Sequence, residues 1–211
     1  QALMSRTYVL KNEHRHAKDG FELCDGVHCQ AYHNMLRHTP SIKNAVEQTV
    51  GKVLVDENDN LVASFFSANC GGQICDASYV WNTSVPYVES FQDTFCVHTR
   101  QATWTKTIDK YKWKNFINDY GVTETEYGGL IYNFEQEQRK AFYIHPSLGI
   151  PLRDLRSEFR LKSTFFSTEL NGTSVVISGR GFGHGVGLCQ EGAMNMAKLG
   201  YDYTQIALFY F

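Results

Sequence analysis

The sequence has no run of 18 apolar residues, no block of like charges and no low-complexity linker. A membrane-crossing helix needs about 20 consecutive apolar residues, so none is predicted. The net charge is −2, which argues against nucleic acid as the main partner. The 211 residues are 43% hydrophobic and 14% aromatic, which is enough for one large domain or two small ones with a real core.

The segment that most resembles a binding site, residues 179–193, lacks the lysine of a phosphate-binding loop. Residues 179–193 read GRGFGHGVGLCQEGA, in which five alternating glycines frame His184. This spacing is also not that of a dinucleotide fingerprint, so no nucleotide site is predicted. Glycine adopts positive φ and permits close backbone approach, which favours a ligand-binding loop with His184 and Gln190 as its polar groups. A purely structural glycine-rich turn remains the alternative.

The hydrophobic pattern predicts an α+β chain of mixed helices and antiparallel hairpins. Helices are predicted at the N-terminus, from Thr39 to Gly51, and over 103–120, 154–160 and 189–199. Strands are predicted over 52–55, 61–66, 129–134, 140–145, 165–170 and 174–178, with an Asn171-Gly172 turn between the last two. The polar stretch 11–38 is predicted to be a long loop. We expect one domain over 1–211, with 103–150 as an alternative sub-lobe.

Both ends of the sequence stop inside structured patterns. Gln1 stands where a methionine would begin a natural chain, and a helical pattern begins at once. The other end, 208–211, is an apolar run. We therefore expect both ends to be truncated.

The cysteines are Cys24, Cys29, Cys70, Cys75, Cys96 and Cys189. An even number suits disulfides in an oxidising compartment, with the connectivity open. Cys24, His28 and Cys29 also have the spacing of zinc ligands, and His14 or His16 could complete a tetrahedron. The alternatives to zinc are a Cys24–Cys29 disulfide and free thiols.

Six segments form an ordered set of motifs along the chain. They are QALMSRTY at 1–8, CDGVHCQAY at 24–32, AVEQTVG at 45–51, SANCGG at 67–72 followed by Trp81 and Pro86-Tyr87, LR at 152–153 with LKST at 161–164, and the segment 179–193. Together they resemble the SpoIID/LytB family of bacterial cell-wall proteins, which comprises stage II sporulation protein D and the amidase enhancer. The family usually has serine where Cys189 stands, threonine at Ile74 and an aromatic residue at Glu191.

The resemblance implies a SpoIID-like fold that binds the glycan strands of peptidoglycan. In catalytic members it implies a lytic transglycosylase, a lyase that cleaves the MurNAc–GlcNAc bond without water to a 1,6-anhydro product. The general acid would be a glutamate upstream of Gln1, so enzyme activity stays open. The alternatives are a non-catalytic enhancer of an N-acetylmuramoyl-L-alanine amidase and a glycan-binding module.

The same resemblance implies an extracytoplasmic protein, secreted or anchored to the membrane by a segment outside this chain. Its partners would be peptidoglycan and a cell-wall amidase or another wall-remodelling enzyme. Catalysis would need no cofactor, and a zinc ion would be structural.

Supporting roles follow from the resemblance and from the chemistry of each residue type. We assign catalytic support to Arg6, Ser67, His184 and Gln190, and substrate contact to Tyr8, Gly71, Gly72, Trp81, Tyr87, Gly183 and Gly185. Arg6 could orient a carboxylate, and Trp81 could stack on a sugar ring. Each role has a structural alternative: Arg6 in a core ion pair, Ser67 as a turn cap, His184 holding the glycine loop, and the aromatic residues in the core.

Overall fold

The computed structural model describes residues 1–32 and 38–211, and the chain divides into two compact units, Gln1–Phe65 and Phe66–Phe211. Each class of predicted element is present, and the α+β prediction is confirmed. Within the described ranges, no helix has the length and apolar character needed to cross a membrane. One domain with a sub-lobe at 103–150 stays a prediction.

The first unit contains two helices, α1 (Ala2–Lys11) and α2 (Pro40–Gln48). Thr39 caps α2 as predicted, because its hydroxyl accepts the N–H of Ile42 at 3.3 Å. The hydrophobic pattern predicts that Ile42 and Val46 form the apolar face of α2, but these residues are 49% and 43% exposed. The described part of the predicted long loop is irregular apart from a 3₁₀ turn at Ala17–Asp19, and residues 33–37 lie outside the described residues.

The strands predicted over 52–55 and 61–66 are wrong. A single bridge between Val55 and Leu61 replaces the expected ladder. The Asp56 carboxylate accepts hydrogen bonds from the N–H groups of Asn58 and Asn60, at 2.9 and 3.0 Å. These bonds close a tight turn between Val55 and Leu61. The chain then diverges, and only Phe66 enters a strand, β1 (Phe66–Ser67).

A three-stranded antiparallel sheet organises the second unit. Its order is β2 (Thr103–Asp109), β4 (Ser174–Arg180) and β3 (Phe166–Asn171). The predicted β3–β4 hairpin is confirmed, with its turn one residue later than expected. Asn171 still pairs with Ser174, so the turn residues are Gly172 and Thr173, and Gly172 takes the positive φ of +59°.

The helix predicted over 103–120 is wrong in its first half, which is β2. Trp104 and Ile108 are four residues apart, a spacing that puts two side chains on one face of a helix and also on one face of a strand. Pairing of β2 with β4 along its whole length decides for the strand. Asp109 then caps α4 (Lys110–Asn118) by accepting the N–H groups of Tyr111 and Lys112 at 2.9 and 3.1 Å.

The strands predicted over 129–134 and 140–145 are also wrong. The first is largely a 3₁₀ helix, Gly128–Tyr132, that follows α5 (Glu124–Tyr127). The second contributes only an isolated bridge from Phe142 to Pro151, and a 3₁₀ turn follows at Pro146–Leu148. Both segments nevertheless supply fully buried core residues, so their apolar character reflects burial and not strand formation. The predicted helix at 154–160 is confirmed as α6 (Leu152–Glu158).

The remaining elements surround the glycine-rich segment. They are α3 (Ser78–Trp81), β5 (Leu188–Cys189), α7 (Gln190–Lys198) and α8 (Tyr203–Tyr210). The helix predicted over 189–199 is confirmed as α7. Strand β5 pairs in parallel with β1, so Ser67 lies opposite Cys189. Helix α8 was not predicted, although Asp202 and Gln205 form the capping box that marks its start.

Candidate functional site

The glycine loop, residues 181–187, lies against the segment 67–73. The backbones of Asn69 and Phe182 exchange two hydrogen bonds, of 3.1 and 2.8 Å. The N–H of Cys75 donates to the carbonyl of Gly185 at 2.8 Å. Two predicted site motifs that are more than 100 residues apart in the sequence are therefore in direct contact.

Two glycines make this contact possible. Gly181 has φ +76°, and a Cβ on it would lie 2.6 Å from the carbonyl oxygen of Asn69. Gly71 has φ +73°, and its Cβ would lie 2.7 Å from the backbone carbon of Arg180. Both positions require glycine for two reasons: the backbone has a positive φ, and a side chain would have no space.

His184 is a neutral, partly buried group inside the glycine loop. Its Nδ1 accepts the N–H of Val186 at 3.0 Å, so this nitrogen carries no proton. Burial, together with the positive charges of Arg156 and Arg139, lowers the pKa of His184 to about 4. Its ring packs against Trp81 with 5.1 Å between centroids. This geometry supports the structural alternative for His184, as a holder of the loop and of Trp81.

Trp81 is partly exposed beside His184. It ends helix α3 and is 41% exposed. The guanidinium of Arg153 donates to the carbonyl of Val80 and to Oδ1 of Asn82, at 3.3 and 3.0 Å, and this ties down the end of the helix. Tyr87, the other aromatic residue predicted to stack, is partly buried. Trp81 is thus the better placed of the two to meet a ligand.

Ser67 lies beneath the glycine loop. Its hydroxyl is shielded from solvent and has no hydrogen-bond partner among the residues described. A Cβ on Gly183 would lie 2.7 Å from the Cβ of Ser67, so the loop covers this side chain. Contact between Ser67 and a substrate would require the loop to move. The role of Ser67 stays a prediction, as does that of Gln190, the partly buried first residue of α7.

The remaining predicted glycines are also packed closely. Gly72 has φ +96°, and its Cβ would be 3.2 Å from a methyl group of Val97. Gly185 has φ +78° and lies against the guanidinium of Arg139. Their predicted contacts with substrate stay untested, but their backbone geometry excludes larger side chains.

Sequence reasoning missed Arg139, which is buried, hydrogen-bonds to residues 70 and 73 and packs against Gly185. Its Nε donates to the carbonyl of Gln73 at 2.8 Å, and its Nη2 donates to the carbonyl of Cys70 at 2.6 Å. It is one of several charged residues in the polar stretch 135–140, and nothing in that stretch singles it out.

Sequence reasoning also noted Glu191 only as a departure from the family pattern. Its carboxylate accepts hydrogen bonds from the amide of Asn69, at 2.7 Å, and from the hydroxyl of Thr99. Burial alone would raise its pKa, but hydrogen bonds from Thr99, Asn69 and Gln101 outweigh burial, and the pKa is lowered. Glu191 is therefore an ionised acceptor near neutral pH and not a proton donor.

In the first unit, Arg6 and Tyr8 have structural contacts. Arg6 donates to the carbonyls of Thr49 and Lys52, at 2.5 and 2.8 Å, just beyond the end of α2. The hydroxyl of Tyr8 accepts from Arg15 at 3.0 Å, and burial is the largest cause that raises the pKa of Tyr8. The contacts of Arg6 are to backbone carbonyls and not to the partner of a core ion pair, and the predicted substrate roles of both residues stay untested.

The first unit also brings His16, Cys24, His28 and Cys29 together, with their ligand atoms all within 4.8 Å of one another. Cys29 Sγ lies 3.4 Å from His16 Nε2, and both sulfurs lie 3.7 Å from His28 Nδ1. A hydrogen bond from His28 is the largest cause that lowers the pKa of Cys24 to about 7. Of the two histidines predicted to complete the set, His16 is in place and His14 faces solvent.

The contact behind His16 suits a metal site, but the contact behind His28 does not, because a ligating Nδ1 leaves the proton on Nε2, where it would face the donor groups of Arg15. His16 Nδ1 lies 3.0 Å from a carboxylate oxygen of Asp19, and His28 Nε2 lies 3.3 Å from the guanidinium of Arg15. A carboxylate behind a ligating histidine orients the ring and fixes its tautomer. All the cysteines are free thiols in the structure, including Cys24 and Cys29. Two nitrogens and two sulfurs are a donor set that zinc accepts.

Comparison with known proteins agrees with the family that the sequence motifs resemble. A family model described as Stage II sporulation protein matches residues 1–55. Proteins named Stage II sporulation protein D and Amidase enhancer match the whole chain. These matches support the SpoIID/LytB family that the motifs indicate.

Three relatives show what share of their own length this chain covers. It is 30% identical to an uncharacterized protein of Brachyspira hyodysenteriae, over all of this chain and 58% of that protein. It is 27% identical to Stage II sporulation protein D of Bacillus amyloliquefaciens, over all of this chain and 65% of that protein. It is 27% identical to the Amidase enhancer of Bacillus subtilis, over all of this chain and 36% of that protein. The chain thus spans less than two thirds of each of these relatives.

Proposed function

We propose that this chain acts on the bacterial cell wall, as the glycan-binding part of a peptidoglycan lytic transglycosylase. The observation that carries the proposal is the exposed Trp81 ring, held against His184 at the rim of a loop that only glycine backbone can form. An aromatic face covers the apolar face of a sugar ring. The names of two relatives, Stage II sporulation protein D and Amidase enhancer, support a cell-wall role.

The proposed reaction needs one carboxylic acid. The acid protonates the glycosidic oxygen, the bond from MurNAc C1 to that oxygen breaks, and GlcNAc leaves with the proton. The MurNAc C6 hydroxyl then bonds to C1 and returns its proton to the carboxylate, which gives the 1,6-anhydro sugar without water. A pKa raised by burial would hold the acid protonated near neutral pH.

Two carboxyl groups near the glycine loop, those of Glu191 and Asp93, do not fit this role. Glu191 is held ionised by its hydrogen bonds. Asp93 is fully buried, at 0% exposure, and has no face toward a ligand. We therefore assign the proton transfer to the glutamate that the resemblance places before Gln1. In this proposal Trp81 and the glycine loop bind and orient the strand.

A cell-wall substrate implies that the protein works outside the cytoplasmic membrane. In this proposal peptidoglycan is the ligand, a wall amidase or another wall-remodelling enzyme is a second partner, and the reaction uses no cofactor.

Digestion of purified glycan strands by the full-length protein tests the activity. We expect mass spectrometry to find 1,6-anhydro-muropeptides among the products. If none form, while the protein accelerates release of stem peptides by a cell-wall amidase, the transglycosylase proposal is wrong. The amidase-enhancer function is then correct, a reading that the Bacillus subtilis relative supports across the whole of this chain.

Trp81→Ala is expected to weaken binding to purified glycan strands about tenfold, which is about 1.4 kcal/mol. The physical reason is the loss of the exposed face on which a sugar ring would stack. Isothermal titration or co-sedimentation measures the change. The matched control is Tyr111→Ala, which removes an aromatic residue that is 70% exposed on α4. Equal affinities of the two variants would show that Trp81 is not part of the glycan-binding surface.

We also propose that His16, Cys24, His28 and Cys29 hold a structural zinc ion. A four-ligand set with no open position suits a structural zinc, which would hold residues 16–29 in place. Cys29→Ser is expected to lower the zinc content of the purified chain by one equivalent, as measured by elemental analysis. His14→Ala removes an exposed neighbouring histidine and is expected to leave the zinc content unchanged. An unmodified chain whose Cys24 and Cys29 are joined in a disulfide would contradict this proposal.

A further inference from the structure

A second set of potential metal-ligand atoms lies in the second unit, Phe66–Phe211, and the sequence alone did not indicate that these residues meet. Cys70, Asp93, Cys96 and Cys189 place one ligand atom each within 4.8 Å of all the others. All four residues are 0% exposed. We call them the buried cysteine–aspartate cluster. They come from three separate segments: the turn before the double glycine, the 3₁₀ turn at Thr94–Cys96, and the start of α7.

We propose that the buried cysteine–aspartate cluster is a zinc site with three thiolate ligands and one carboxylate ligand. Tetrahedral zinc with bonds of about 2.3 Å to sulfur places neighbouring sulfurs about 3.8 Å apart. Cys70 Sγ lies 3.4 Å from Cys96 Sγ and 3.2 Å from Asp93 Oδ2. These two distances are within a few tenths of an ångström of those in a tetrahedral site, and the other ligand atoms lie within 4.8 Å of one another.

The surroundings of the cluster are those of ligands held in place. Cys189 Sγ accepts two backbone N–H groups, from Cys70 at 3.3 Å and from Gly192 at 3.4 Å. The second belongs to the first turn of α7, where the helix dipole favours a negative sulfur. The hydroxyl of Tyr210 donates to Asp93 Oδ2 at 2.9 Å and orients the carboxylate.

A disulfide would use this arrangement less well than zinc does. One disulfide joins two of the three sulfurs and leaves the third thiol buried beside the Asp93 carboxyl group. A divalent cation uses all four groups and offsets the cost of burying their charge. Because Ser67 pairs with Cys189 across β1 and β5, the ion would fasten the parallel strand pair just below the glycine loop.

Zinc counting in the whole chain tests the proposal. Elemental analysis of protein purified with a reductant is expected to find one zinc per chain in Cys24→Ser/Cys29→Ser, in which the first unit's cluster is disabled. Adding Cys189→Ser is expected to weaken the remaining zinc at least tenfold in a competition with a chelator. The serine hydroxyl can still accept the Gly192 N–H, so the helix cap persists. Cys75→Ala, which removes a buried thiol outside the cluster, is the matched control.

Alkylation of the unmodified chain needs no substitution and so decides the question even if a variant fails to fold. Adding Zn²⁺ to metal-stripped protein is expected to slow alkylation of Cys70, Cys96 and Cys189 together at least tenfold more than that of Cys75. Equal rates with and without Zn²⁺ would overturn the proposal, as would a Cys24→Ser/Cys29→Ser chain without zinc whose Cys70 and Cys96 are found disulfide-linked.

Discussion

Gly181→Ala is expected to lower the free energy of unfolding of the second unit by about 3 kcal/mol. A methyl group at φ +76° costs about 1 kcal/mol in backbone strain. It would also lie 2.6 Å from the carbonyl oxygen of Asn69 and 2.7 Å from the backbone nitrogen of Gly71. Backbone atoms cannot turn aside as a side chain can, so overpacking adds about 2 kcal/mol.

Gly121→Ala is the matched control for this prediction. Gly121 has the same φ, +76°, and an added Cβ would meet nothing within 4 Å. We expect it to cost about 1 kcal/mol, the strain alone. Urea unfolding followed by circular dichroism measures both variants, and the difference between them isolates the contact between the two motifs. Equal losses would mean that the glycine loop does not pack against residues 67–73 in solution.

The second unit is expected to lose about 2 kcal/mol of stability through His184 as the pH falls from about 7 to about 4.5. The pKa of His184 is about 4 in the folded state and about 6.5 when the chain is unfolded. Between these values the unfolded chain binds a proton that the folded chain does not, so protonation favours unfolding. The stability is fully present above pH 6.5 and falls as the pH drops toward 4. A full shift would give about 3 kcal/mol, and partial exposure of the ring reduces it.

The groups that face His184 explain why it stays neutral. Its Nδ1 accepts the Val186 N–H, and Arg156 and Arg139 are the positive charges that oppose a proton on the ring. His184→Asn is the variant to compare, because its Oδ1 can accept the same N–H and never titrates. Chemical unfolding at about pH 7 and about pH 4.5 measures the loss in each protein. Carboxyl groups titrate alike in both, so parallel losses would show that His184 is already solvated in the folded state.

The elements that sequence reasoning found correctly carry local signals. Thr39 followed by proline marks the start of α2, and Gly200 follows the end of α7. The β3–β4 hairpin follows from two alternating runs around a glycine. Its register was off by one residue, because pairing along the strands decides which residues form the turn.

The elements that sequence reasoning missed have patterns that fit two structures equally well. In β2 the side chains of Trp104 and Ile108 share a face whether the segment is a helix or a strand. In the region 128–145 the short apolar runs mark burial, and their backbone hydrogen bonds go to 3₁₀ turns and single bridges. Only the position of the neighbouring strand decides such cases.

The candidate site also contains some residues that could be recognised from the sequence and others that could not. Cys24, His28 and Cys29 could be recognised because they lie within six residues, whereas the choice of His16 over His14 needed the folded loop. Arg139 could not be recognised, because its partners Cys70 and Gln73 lie 69 and 66 residues away. A long-range contact leaves no periodic trace in the sequence.

The sequence alone determined the glycine loop, the start of α2 at Thr39 and the family motifs. It also identified Cys24, His28 and Cys29 as candidate ligands. Each depends on the conformational preference or the chemistry of residues close together in the chain. Only the tertiary structure decided that Gly71 and Gly181 meet back to back, that Arg139 contacts two motifs, and that Cys70, Asp93, Cys96 and Cys189 converge. These groups meet because the β1–β5 pair and the packing of α7 bring separate segments into contact, and that packing is a property of the whole fold.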